Sequence, residues 1–137
     1  MTNNKLADTI INLPMFSDER GSLTFAESNN HLPFPVRRIF YITNTPQNGN
    51  RGHHAHKITN QVLFCLQGSV LIKLDDGKNK TEYLLNKPNV GIIVRNRVWH
   101  SMENFSKNAV LLVVASTHYN ENEYIRNYDD FIKFITK

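Results

Sequence analysis

Hydrophobic and polar positions along this chain fall into short alternating runs separated by turn residues. The apolar segment Ile10 to Phe16 reads as a strand, Ser17-Asp18-Glu19-Arg20-Gly21 as a turn, and Ser22 to Glu27 as a second strand. Asn29 to Pro35 is rich in Asn and Pro and reads as loop, whereas Val36 to Ile42 has the β-branched and aromatic content of a strand. A loop over Asn44 to Asn50 leads into further runs at Gln61 to Leu66, Ser69 to Leu74, Thr81 to Leu85, Val90 to Val94, Val98 to Met102 and Ala109 to Ala115. Asp76-Gly77 between two of these is a hairpin signal. Only Tyr124 to Ile135 carries apolar residues at helical spacing, at Tyr128, Phe131, Ile132 and Ile135. Strands recurring this closely predict an all-β antiparallel sandwich or barrel, closed by a short C-terminal helix.

A length of 137 residues with 40% hydrophobic content predicts one domain spanning 1–137, and no repeat, linker or low-complexity segment divides it. No apolar run approaches the roughly 18 residues of a membrane span, and Met1 to Lys5 lacks the apolar run of a signal peptide. A cytoplasmic protein without a membrane partner is expected. The single cysteine, Cys65, sits inside Val62-Leu63-Phe64-Cys65-Leu66 and reads as a small buried hydrophobe. The formal charge of +4 favours an anionic ligand. Because no run of basic residues concentrates that charge, a phosphorylated small molecule fits better than nucleic acid.

The candidate chemistry lies in Arg51-Gly52-His53-His54-Ala55-His56, which holds three of the six histidines. In an extended segment His54 and His56 share one face and His53 takes the other. Two imidazoles converging on one pocket point either to metal ligation or to proton transfer near neutral pH.

This stretch, Gly68, the turn Pro88-Asn89-Val90-Gly91 and the later His100-Ser101-Met102-Glu103-Asn104 together resemble the two motifs of the cupin superfamily. The resemblance implies a cupin jelly-roll barrel. Further blocks narrow it: Arg20-Gly21-Ser22-Leu23, Gln61-Val62-Leu63, Leu74-Asp75-Asp76-Gly77, Val98-Trp99-His100 and Tyr124 to Phe131. With these, the chain is similar from about Ile10 to Phe131 to the sugar-nucleotide 3,4-ketoisomerases. Those enzymes convert dTDP-4-keto-6-deoxyglucose into a 3-keto isomer for the deoxyamino sugars of bacterial surface glycans.

The resemblance implies His54 as the base that removes the C3 proton and His56 as its partner, orienting it or moving a proton between O3 and O4. Arg20 and His100 would border the hexose, Arg38 and Arg51 are candidates for the diphosphate, and Tyr41 and Gln61 complete the substrate-binding set. A metal cupin would carry a carboxylate where this chain has Gln61, so neither a metal nor another cofactor is expected. The family further implies a homodimer in which the N-terminal strand, about residues 8–16, is exchanged between subunits. One branch of the family makes a galacto-configured product and carries an Arg before Gly-Ser-Leu and a His after Val-Trp. The gluco branch carries Tyr and Arg there. Arg20 and His100 match the galacto branch.

Several readings compete with this one. A gluco-product ketoisomerase or a 3,5-epimerase would use the same substrate, and a metal-dependent cupin enzyme would use the same barrel. A nucleotide-sugar-binding cupin without activity would have no need of two convergent histidines. Of the other residues, Trp99 is expected in the core, and His31 and His118 at the surface.

Overall fold

The structure is a computed structural model that describes residues 4–137. Its strands are β1 (Ile10–Asn12), β2 (Met15–Asp18), β3 (Gly21–Thr24), β4 (Arg38–Ile42), β5 (Arg51–His56) and β6 (Gln61–Gln67). Then follow β7 (Val70–Asp75), β8 (Lys80–Leu85), β9 (Val90–Val94), β10 (Trp99–Glu103), β11 (Val110–Ala115), β12 (Tyr124–Ile125) and the helix α1 (Tyr128–Ile135). Two five-stranded antiparallel sheets face each other, in the orders β1-β9-β6-β11-β4 and β12-β5-β10-β7-β8. Neighbours distant in sequence lie side by side in both, which gives the antiparallel sandwich that the strand pattern predicts, in the jelly-roll form that the cupin resemblance implies. No helix among the described residues is long and apolar enough to cross a membrane.

The apolar pattern follows from which faces are covered. Strand β6 reads as a continuous hydrophobic run because both its faces are buried. Leu63 and Cys65 point between the sheets with Ile72, Leu74 and Leu111. Val62 and Phe64 point outward, beneath Leu32 and Phe34 of the Asn-Pro loop. On the other sheet, α1 buries Phe131 completely against Ala55 and Ile125, and Trp99 packs at the edge of this cluster. Asn127 caps α1 by accepting from the Asp130 amide at 3.0 Å.

Three segments differ from the sequence expectation. Ile10 to Phe16 is two strands, because the chain turns at Leu13-Pro14: Leu13 enters the core, and Pro14 has no N–H for a ladder. Tyr124 to Ile135 is not all helix, since Tyr124 and Ile125 pair with His56 and Ala55 on β5 and α1 begins only after the Asn127 cap. His31 is half-buried, and its Nδ1 accepts from the Glu27 amide at 3.0 Å, so it holds its loop together.

The N-terminal arm is unsupported within one chain. The β2–β3 hairpin pairs only with itself and exposes Phe16 and Leu23 by 64% and 60%. Such a two-stranded ribbon is at best marginal in water by itself. Strand β4 is an open sheet edge, from which Ile39 and Tyr41 project into solvent.

Candidate active site

The histidine strand β5 owes its geometry to a bulge. His54 pairs with His100 on β10, but the next pair is Gly52 with Ser101, so His53 is an extra residue. It adopts a positive φ of 56°, and its side chain is exposed. Gly52 precedes it with φ 92°, and a Cβ there would stand 3.0 Å from the Met102 methyl and 3.3 Å from the His100 carbonyl. The close approach of β10 therefore calls for glycine. Past the bulge ordinary alternation resumes: Ala55 faces α1, while His54 and His56 face between the sheets.

His54, His56 and His100 form one cluster. Ring centroids are 5.1 Å apart for His54 and His56, 4.7 Å for His54 and His100, and 5.8 Å for His56 and His100. His54 lines a cavity of 220 Å³ with His100, Arg51, Gln61, Tyr124 and Arg126, and its apolar wall includes Phe40 and Leu63. A larger groove of 640 Å³ lies on the outer face of the same sheet. There the charged and polar groups pair with one another, as Lys73 does with Glu103 at 3.3 Å and Tyr128 with Asp75 at 2.7 Å. The smaller cavity instead brings imidazoles together, those of His54 and His100.

Burial sets the protonation of the cluster. Burial first, then the neighbouring His56, pushes the pKa of His54 from 6.5 down to about 4. Burial pushes His100 well below the ordinary histidine value, and the other two imidazoles add to the effect. His56 is lowered by burial as well, but Glu123 works in the opposite direction. All three rings are thus neutral at neutral pH, the form that can accept a proton. The Nδ1 of His54 lies 3.2 Å from the Gly52 carbonyl, which as an acceptor leaves the Nε2 nitrogen of this ring free as the basic one.

His54, His56 and His100 each offer a nitrogen, all within 4.8 Å of one another, so their spacing alone would suit a divalent ion. The side chain beside them at position 61 is the buried amide of Gln61, which brings no negative charge to such an ion.

The other sequence candidates are distributed unevenly. Arg51 stands at the mouth of the cavity. The guanidinium of Arg38 is buried, 5.6 Å from the Phe40 ring centroid and 5.7 Å from that of Tyr119, and none of its nitrogens finds a protein acceptor. Its charge reaches His56 and lowers the pKa of that ring. Arg20 is not brought to the cavity within one chain: it lies on the exposed hairpin turn and pairs with Asp18 at 2.6 Å. Tyr41 is not brought there either, because alternation along β4 turns Phe40 and Ile42 inward and Tyr41 out.

Sequence reasoning missed Glu123, Thr59, Tyr124 and Arg126 as site residues. Glu123 accepts from Nδ1 of His56 at 2.8 Å, from the Ile58 and Thr59 amides at 3.1 and 3.2 Å, and from the Thr59 hydroxyl. Burial opposes its charge, but the Thr59 hydroxyl, the Ile58 amide and His56 together hold its pKa below the usual carboxylate value. Tyr124 covers His56, with centroids 4.4 Å apart, and Arg126 stacks on the outer side of the Tyr124 ring at 4.6 Å. The only signal for this group was the block beginning at Tyr124. No local spacing links Glu123 to a histidine 67 residues earlier.

A jelly-roll barrel that opens on a cluster of neutral histidines defines an enzyme site of the cupin class. The family described as FdtA: WxcM-like, C-terminal matches residues 7–136, and the chain belongs to it as a member of the sugar-nucleotide 3,4-ketoisomerases. It is 45% identical over 132 residues to the TDP-4-oxo-6-deoxy-alpha-D-glucose-3,4-oxoisomerase of Aneurinibacillus thermoaerophilus, covering 96% of this chain and 95% of that one. Among solved structures, a 3,4-ketoisomerase from Helicobacter canadensis is 45% identical with a TM-score of 0.90, covering 93% of this chain and 96% of that one. The QdtA 3,4-ketoisomerase of Thermoanaerobacterium thermosaccharolyticum is 43% identical with a TM-score of 0.88, covering 90% of each chain. That structure is a complex with TDP of a double mutant, one tyrosine changed to arginine and one arginine to histidine. An RmlC epimerase from Mycobacterium tuberculosis, 17% identical with a TM-score of 0.72, covers 84% of this chain and 66% of that one and shares the fold alone.

Proposed function

We propose that this chain converts dTDP-4-keto-6-deoxyglucose into dTDP-3-keto-6-deoxygalactose by proton transfer through an enediolate. The observation that carries the reading is the buried cluster of three neutral imidazoles, with the amide Gln61 and no carboxylate in the fourth place. Nε2 of His54 takes the proton from C3; the C–H electron pair forms the C3–C4 double bond, and the carbonyl π pair moves onto O4. A proton then passes from O3 to O4 by way of His56. The C3 carbonyl reforms, and C4 takes up a proton. His100 borders the hexose and donates to developing charge on oxygen. Arg51 and Arg126 at the cavity mouth hold the diphosphate, and Arg38 presents its unpaired donors to ligand oxygen from the inner side.

The galacto configuration is supported by Arg20 and His100. The tyrosine-to-arginine and arginine-to-histidine exchanges in the QdtA double mutant involve the same residue types that separate the two branches. In the gluco substrate the C3 hydrogen is axial on one face of the ring, and a galacto product receives its C4 hydrogen on that same face. One imidazole, His54, serves both steps. A gluco product would need a donor on the opposite face.

The enzyme acts as a homodimer in this reading. Because β1 pairs with its own β9, the exchanged portion is the β2–β3 hairpin, which buries Phe16 and Leu23 on the partner and carries Arg20 toward the partner's cavity. The test of the whole reading is incubation of the purified protein with dTDP-4-keto-6-deoxyglucose in deuterated water, followed by NMR. Deuterium at C4 is expected there, and a parallel reaction in ordinary water should give a small H4–H5 coupling, the mark of an axial hydroxyl. A large coupling would give the gluco isomer, and an unchanged substrate with bound nucleotide would leave a binding protein.

A further inference from the structure

The carboxylate of Glu123 is the one buried charge in the site that the proposed reaction leaves without a task. It is 5% exposed and sits against His56, itself 2% exposed. All its contacts come from the protein: Nδ1 of His56, the Thr59 hydroxyl and the Ile58 and Thr59 amides. The fold places it deliberately. Pairing of β12 with β5 sets Tyr124 opposite His56, and the Lys57 amide donates to the Glu123 carbonyl at 2.9 Å, so backbone bonds flank the carboxylate on both sides. Among the described residues, His56 is the only basic side chain within ion-pair distance of it.

We propose that Glu123 is a positioning residue: it ties up Nδ1 of His56, so this imidazole has one working nitrogen and becomes the carrier of the proton that moves between O3 and O4. The inference rests on the ketoisomerase reading. A carboxylate can only accept, so the Nδ1 hydrogen of His56 stays in the bond to Glu123 and the tautomer is fixed. Nε2 of His56 is buried and has no protein partner. It accepts the proton that O3 gives up and hands the same proton to O4, so His56 ends neutral, O3 holds the electron pair that reforms the carbonyl, and O4 becomes the hydroxyl. While the proton is on Nε2 the ring is an imidazolium, and the Glu123 carboxylate is the counter-charge that a buried site otherwise lacks. His54 has no such support: its Nδ1 faces only a backbone carbonyl. The support that Glu123 gives therefore acts on the oxygen-to-oxygen transfer by His56 and not on removal of the C3 proton by His54.

The test separates those steps with Glu123→Gln, which keeps the shape but removes the charge. In deuterated water, exchange of the C3 hydrogen of the substrate should persist within a few-fold of wild type, KM should hold, and transposition of the ketone should fall about 10- to 100-fold. Equal loss of both processes would reduce Glu123 to a structural role, and undiminished transposition would remove it from the reaction. A second measurement depends neither on Glu123→Gln nor on turnover. Nitrogen-15 NMR of the free wild-type protein, assigned with His56→Gln, should show His56 protonated at Nδ1 with a far-downfield hydrogen-bonded proton. An Nε2-protonated ring would overturn the proposal even if the enzyme turned over as expected. A wild-type enzyme inactive on the nucleotide sugar would refute the function and leave this tautomer result to stand or fall by itself.

Discussion

Replacing His54 by Asn perturbs the site and the stability of the fold at once, and both effects can be sized. As the base for the C3 proton, His54 is worth about 10²–10⁴ in rate, or roughly 3–5 kcal/mol of barrier at 1.36 kcal/mol per tenfold. Its stability effect has a definite sign. In the unfolded chain His54 takes a proton near pH 6.5, whereas in the folded protein it stays neutral until about pH 4. Between those values the unfolded state binds the extra proton, so stability present above pH 6.5 is lost as the pH falls to about 4. At 1.36 kcal/mol per unit the His54 share is at most about 3 kcal/mol. His56 and His100 shift in the same direction and add to the acid sensitivity. Urea unfolding at fixed protein concentration, at neutral pH and near pH 4, measures the difference for wild type and variant. The variant should lose less stability on acidification than wild type, by up to about 3 kcal/mol, while its neutral-pH turnover drops at least 100-fold. Parallel stability losses would show that His54 is not held neutral by burial. Near-normal turnover in a folded variant would remove it from the role of base.

Three further outcomes are expected. Extensive chelation should leave turnover unchanged, because the site is read as needing no ion; activity lost to chelator and regained with iron or zinc would reverse that reading. Replacing Phe16 and Leu23 by Asp should give a monomer by light scattering with lowered activity, since both apolar contacts and the Arg20 turn leave the partner together; an active monomer would refute the exchange. Arg20→Tyr combined with His100→Arg should move the product toward the gluco isomer, read from the H4–H5 coupling, and an unchanged galacto product would show that other residues choose the face.

The strand pattern alone determined the class of this fold, because a surface buried on one side imposes a two-residue period and turn residues mark its ends. It also singled out the strand that bears His54 and His56, since local alternation places i and i+2 on one face. What the pattern could not contain is pairing between distant segments. His100 meets His54 across the β5–β10 ladder, and the His53 bulge that keeps the ladder in step depends on β10 pressing against Gly52. Tyr124 and Ile125 look helical by spacing, yet the open edge of β5 captures them as a strand. Glu123 reaches His56 only because of that capture, and the Arg38 guanidinium finds its buried place beside Phe40 and Tyr119 only once β4 has paired with β11. Side-chain periodicity is a local property of the backbone, whereas the neighbours that complete a buried proton-transfer site are set by register and burial, which exist only once the sheets have closed.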